Sequence, residues 1–376
     1  MYKKIERDSN YELLRIVSML FIVLWHVIQH SYLVENTVGV TNFLFNAIRL
    51  FIIVHVNCFL LITGYYQSKS EFKLKKLVSL IIEIWFYNIL INSILKYSGL
   101  VSYTNIDYLV RISFFNLDTF WYIKCYIIVY LLSPFLNMLI DKMDKKTYKR
   151  LIVILLLAFS IIPFLTGNMF YATNGSTVIQ HILLYFVGAY IRKYDLNTNL
   201  FSSLNITQKR AFYFILFIIF WIINLLMYIF QLYLSNLDSN ILKFISSCIL
   251  EYKYCYNNPI TLLQSLSFFL FFSTFKFKNR IINKISSLTL GIYFIHEMKY
   301  IYDNIYKWIG LDIGKIIYGK EIILKAIIWA IIIFIICGII EFIRQLLVKG
   351  IFKIKFVRNL YNKFNTWLSN LFEIEA

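Results

Sequence analysis

The chain has 376 residues, 60% of them hydrophobic and 19% aromatic, with only 15% charged and a formal net charge of +18. With a mean hydropathy of +0.67, this composition excludes a water-soluble domain and marks a polytopic membrane protein. With 3 prolines, 12 glycines and no low-complexity tract, nothing points to a second, soluble domain, and the 5 cysteines lack C-x-x-C spacing, so neither a zinc site nor a disulfide framework is expected.

Windows of about 20 apolar residues predict spans, in chain order, near residues 11–32, 43–66, 77–96, 119–140, 151–170, 176–191, 211–234, 259–275, 285–304 and 321–343. The expected fold is all-α, a polytopic transmembrane helical bundle of about ten spans. An even count puts both termini on one side. Lysines and arginines concentrate on that side, in 69–76, 142–150, 276–284 and the tail beyond 343, whereas the opposite loops carry few. The positive-inside bias makes that side the cytoplasm. The basic charge is thereby explained by topology, and no nucleic-acid partner is expected. Arg15 interrupts the first apolar run, so the N-terminus does not read as a cleavable signal. Residues 1–349 form the integral-membrane domain. Residues 350–376, where Phe, Ile, Leu and Trp alternate with Lys and Arg, read as a basic amphipathic tail lying on membrane lipid at the cytoplasmic face.

Ionisable groups inside a span cost at least about 2.5–3.5 kcal/mol each at mid-helix, so they persist where a buried site needs them. The first span holds Arg15 and His26. Their separation makes about three helical turns, which places them on one face roughly 16 Å apart, with Glu12 near the same stripe and able to orient Arg15. The second span carries Arg49 and His55, the third Glu83, the fourth Lys124, the sixth His181, and the ninth His296 with Glu297. By depth, four of the five histidines are candidates to line one cavity open to the outer side. His55 and His181 fit equally well as hydrogen-bonding struts between helices. His26 lies too deep to snorkel, which leaves it as a base, a nucleophile or a ligand in a wet cavity. His26 and His30 have metal-ligand spacing but no acidic partner in their segment, so no metal is expected.

Several stretches together carry a resemblance. Arg7-Asp8-Ser9-Asn10-Tyr11-Glu12-Leu13-Leu14-Arg15, followed by Ile16-Val17-Ser18-Met19 and Trp25-His26, looks like the first span of the integral-membrane acyltransferase family 3, whose signature there is an arginine, ten intervening residues and a histidine. Cys58-Phe59-Leu60-Leu61-Ile62-Thr63-Gly64-Tyr65 resembles the family's segment ending in Ser-Gly-Tyr, with Thr63 in place of the serine. Phe120-Trp121-Tyr122 with Tyr130-Leu131-Leu132-Ser133-Pro134-Phe135-Leu136 is similar to its fourth span, and Leu290-Gly291-Ile292-Tyr293-Phe294-Ile295-His296 to its late Tyr-x-x-His segment. The family's Arg-x-x-Arg element is replaced by Phe72-Lys73-Leu74-Lys75-Lys76. Lysine still binds phosphate, as a point charge without the arginine fork.

The resemblance implies an O-acetyltransferase of a bacterial plasma membrane. It would move an acyl group from cytoplasmic acetyl-CoA, a co-substrate and not a tightly bound cofactor, to a hydroxyl of a cell-surface or lipid-linked glycan. Lys73, Lys75, Lys76 and Arg15 would hold the donor's phosphates, with Glu83 in support. His26 would act as general base or transient acyl carrier. On the acceptor side, Trp121, Tyr122 and Tyr293 would stack on a sugar, His55 would lie nearby, and His296 and Lys124 would polarise the carbonyl or bind a phosphate. A transporter or flippase of a lipid-linked oligosaccharide remains the alternative, because buried His, Arg and Glu also serve substrate pathways. No two-half internal repeat supports that alternative.

Overall fold

The computed structural model describes residues 8–113, 120–166, 173–196, 201–237, 239–311, 319–351 and scattered tail residues from Lys353 to Trp367; the rest of the expected amphipathic tail lies outside the described residues. Those residues form helices and no extended strand. In chain order the helices are α1 (Ser9–His30), α2 (Gly39–Ile52), α3 (His55–Gln67), α4 (Leu74–Tyr97), α5 (Asn105–Arg111), α6 (Trp121–Lys142), α7 (Lys145–Leu156), α8 (Ile162–Thr166), α9 (Val178–Lys193), α10 (Ile206–Ser235), α11 (Asn240–Tyr252), α12 (Pro259–Ser273), α13 (Arg280–Ser286), α14 (Thr289–His296), α15 (Lys299–Trp308) and α16 (Glu321–Ile351).

Among the described residues, seven helical segments are long and apolar enough to cross a bilayer: α1, α2 with α3, α4, α6, α7 with α8, α10 and α16. The chain is a multi-pass membrane protein. Two further expected spans appear as shorter helices, α9 with 16 residues and α12 with 15. The ninth expected span is not one helix. It breaks at Glu297 and Met298 into α14 and α15, which sets His296 and Glu297 at the break.

The hub is α1, which packs on α3, α13, α14 and α16. The tightest pairing of two other helices is α3 on α9, and glycine makes it possible. A Cβ on Gly64 would stand 2.3 Å from the Tyr185 carbonyl oxygen, and one on Gly188 would stand 2.3 Å from that of Leu61. Small residues let backbones approach where lipid offers no hydrophobic drive, which gives the Thr-Gly-Tyr segment a packing reason. Within α6, Pro134 has no N–H for the Tyr130 carbonyl. The Ser133 hydroxyl donates to that carbonyl instead at 2.7 Å, so the helix continues without an unmet acceptor in the apolar phase.

Candidate active site

Six segments enclose a cavity of about 620 Å3, a size usual for small-molecule sites. At one end it is lined by Lys73 before α4 and by Lys75 and Lys76 in its first turn, all three exposed, and by Arg15. At the other end stand His26, His55, Trp121 and Tyr256. The long wall is a tyrosine ladder one helical turn apart on α6, with Tyr122 stacked near Tyr126 (centroids 6.5 Å) and Tyr126 near Tyr130 (6.1 Å). Tyr130 fixes the basic end: its hydroxyl accepts from the Lys73 amide and donates to the Lys73 carbonyl, both at 3.0 Å.

Arg15 is held from behind. Its Nη1 lies 3.3 Å from Glu12 Oε2, and the buried Glu12 carboxylate also accepts from the Ser286 hydroxyl at 2.5 Å. Glu12 therefore sits behind the arginine, outside the cavity lining, and aims a guanidinium that does line it.

The protonation of His26 follows from its neighbours. His296 Nδ1 lies 2.6 Å from the Ile292 carbonyl oxygen. A carbonyl only accepts, so this nitrogen carries the His296 proton and its Nε2 is left as an acceptor. His26 Nδ1 lies 2.9 Å from that Nε2 and 2.9 Å from Glu297 Oε2, two acceptors. In the neutral imidazole the proton of His26 therefore sits on Nδ1, which leaves the lone pair on Nε2. His30 Nε2 approaches the same carboxylate oxygen at 3.5 Å, and its ring stacks on Tyr302 with centroids 4.4 Å apart.

This arrangement revises several expectations from the sequence. The acidic partner that His26 lacks in its own segment comes from the break after α14, as Glu297. His26, His296 and Glu297 place one ligand atom each within 4.8 Å of one another, so two imidazoles and a carboxylate, a ligand set suited to a divalent cation, do converge. His296 does not line the cavity but backs His26. Of the histidines only His26 and His55 line it, and the exposed lining residues are at the lysine end rather than the opposite one. His181 lies behind the wall, its ring 5.2 Å from that of Tyr122 and its Nδ1 2.9 Å from the Thr177 carbonyl. Lys124 is exposed and absent from the lining, because one residue beyond Ile123 turns it to the far side of α6. Trp121, Tyr122 and Tyr293 line the cavity.

Glu83 lines it too, but not as a free acid. Arg344 Nη2 lies 2.9 Å from its Oε1, and the same guanidinium makes two bonds of 2.7 Å to Glu341. Glu341, only 1% exposed, also accepts from Tyr87 at 2.5 Å and Gln345 at 2.8 Å. A Cβ on Gly291 would stand 2.3 Å from Glu341 Oε2, so the glycine of the Leu-Gly-Ile-Tyr segment makes room for this carboxylate. Sequence reading missed Arg344, Glu341, Tyr126, Tyr130 and Tyr256. The i, i+3 spacing of Glu341 and Arg344 at the end of an apolar run, and the i, i+4 spacing of the tyrosines, were the available signals.

No curated protein and no solved structure matches the chain. A family model described as an acyltransferase domain matches residues 8–344, which takes in every group described above except the last turns of α16 and the tail; the chain belongs to the integral-membrane acyltransferase family 3.

Proposed function

We propose that the protein is a membrane O-acetyltransferase that carries an acyl group from acyl-CoA on the cytoplasmic side to a hydroxyl of a cell-surface or lipid-linked glycan. The observation that carries this reading is the single cavity joining three lysines and Arg15 to His26. The phosphates of coenzyme A dock on Lys73, Lys75, Lys76 and Arg15, where positive charge is densest. The pantetheine arm runs along Tyr130, Tyr126 and Tyr122, and the thioester reaches His26. Arg344 pairs with Glu83, which weakens the repulsion between this carboxylate in the cavity wall and the phosphates.

The lone pair on His26 Nε2 takes the proton of the acceptor hydroxyl, and the oxygen attacks the thioester carbonyl. Glu297 beside Nδ1 stabilises the imidazolium that forms and fixes the ring's tautomer. The C–S bond then breaks, and the thiolate leaves with the proton from Nε2. Trp121, Tyr122 and Tyr293 face the sugar. His55, buried with no hydrogen-bond partner on either ring nitrogen, lines the same end and offers a polar edge to the acceptor.

The test uses the full chain in lipid nanodiscs with acetyl-labelled acetyl-CoA and envelope glycan. Ester-linked label on the glycan, absent with His26→Ala, is expected. Movement of glycan across a membrane without acyl transfer would overturn the reading in favour of a flippase.

A further inference from the structure

Beyond the cavity's far end lies a second charged site. Arg49 of α2 is 8% exposed, and its guanidinium carbon sits 4.3 Å from the Trp25 ring centroid and 3.9 Å from that of Tyr254. Lys253, in the loop after α11, stands 4.6 Å from the same Tyr254 ring and 4.2 Å from Tyr228. Lys253 donates to Asn46 Oδ1 at 2.9 Å, and the Tyr254 hydroxyl donates to the same oxygen. Two cations thus share one aromatic box. Among the described residues no carboxylate comes within ion-pair distance of either. The buried Nε of Arg49 has no acceptor.

A buried cation beside a half-buried one is costly unless an anion joins them. Burial and the neighbouring Arg49 charge push the Lys253 ammonium down to about 8, against the weaker pull of Glu35. The box also touches the reaction site. Trp25 precedes His26 on α1, and its ring meets His55 edge-on at 5.5 Å. Two residues after Tyr254, Tyr256 lines the cavity, packs on His55 and stacks with Trp121 at 5.9 Å.

We propose that Arg49 and Lys253 form an oxyanion subsite that takes a phosphate group carried by the acceptor, so that the hydroxyl to be acylated lies one residue away at His26. The identity of the occupant as acceptor rests on the acyl-transfer reading above; the anion chemistry does not. Arginine stacked on aromatic rings with a free N–H edge is the residue type suited to phosphate.

The full chain in phosphatidylcholine nanodiscs is titrated with glycerol phosphate by calorimetry. Wild type is expected to bind, and Arg49→Gln and Lys253→Gln are each expected to weaken binding at least tenfold. Lys253 sits on a loop, so its variant remains informative if Arg49→Gln fails to fold. Phosphatidylglycerol in the disc that competes in wild type but not in Lys253→Gln would support the subsite with a lipid headgroup as the phosphate source. Absence of binding to wild type, or equal binding by Lys253→Gln, would overturn it. Absent acyl transfer with intact binding would overturn the acceptor assignment and leave the anion subsite standing.

Discussion

Two clusters of buried ionisable groups flank the cavity, and they differ in one respect. Around Arg344 every strong group has a partner: Glu341 takes two guanidinium bonds and those of Tyr87 and Gln345, and Glu83 pairs with the third edge of the same guanidinium. Around His26 the matching stops one atom short. Nδ1 faces two acceptors, and Nε2 has no partner among the described residues on a ring that lines the cavity. A saturated network fixes helices; a network with one unspent lone pair can do chemistry.

That contrast orders the expected effects of substitution. His26→Ala should lower acyl transfer most, by about 10⁴-fold, toward the upper end of what a general base contributes, while the melting temperature of the purified protein stays near wild type. Arg344→Ala should do the reverse. It leaves the buried Glu341 and the half-buried Glu83 without a counter-charge, at a cost of about 3–5 kcal/mol, to be read as loss of folded protein in a thermal melt. Equal losses of stability in both variants would erase the distinction between the clusters.

Glu297→Gln keeps the shape of the carboxylate but removes its charge from the imidazolium. Turnover should drop by about 10²-fold with little change in KM for either substrate. The smallest effect is expected from exchanging Lys73, Lys75 and Lys76 together to Gln. Exposed charge contacts contribute about 0.2–1 kcal/mol each, so the KM for acetyl-CoA should rise roughly tenfold at nearly constant kcat, and the difference should shrink as salt is raised. A fall in kcat instead would place these lysines nearer the reacting bond than the cavity suggests.

The comparison also explains what could be read without coordinates. The Arg15 to His26 spacing is local, a matter of turns on one helix, and both residues line the cavity as that spacing implies. The Glu12 contact with Arg15 spans three residues and was equally accessible. Glu297 and His296 reach His26 across 270 residues of sequence, and they do so because the ninth apolar run breaks there. A window of span length hides that break, since the strongly apolar α14 carries the amphipathic start of α15 along with it. Lys124 was misplaced for a related reason. Depth along α6 was readable, but which face of the helix meets the cavity depends on neighbours that hydropathy does not name. The partner of Glu83, Arg344, sits one residue beyond the expected end of the last span at 343, so the pair was not legible.

The most direct test of the central claim loads sealed vesicles carrying the full chain in one orientation, tail inward, with acetyl-labelled acetyl-CoA and offers glycan outside. The account predicts ester-linked label on the outer glycan with wild type and none with His26→Gln. Equal labelling by His26→Gln would contradict it.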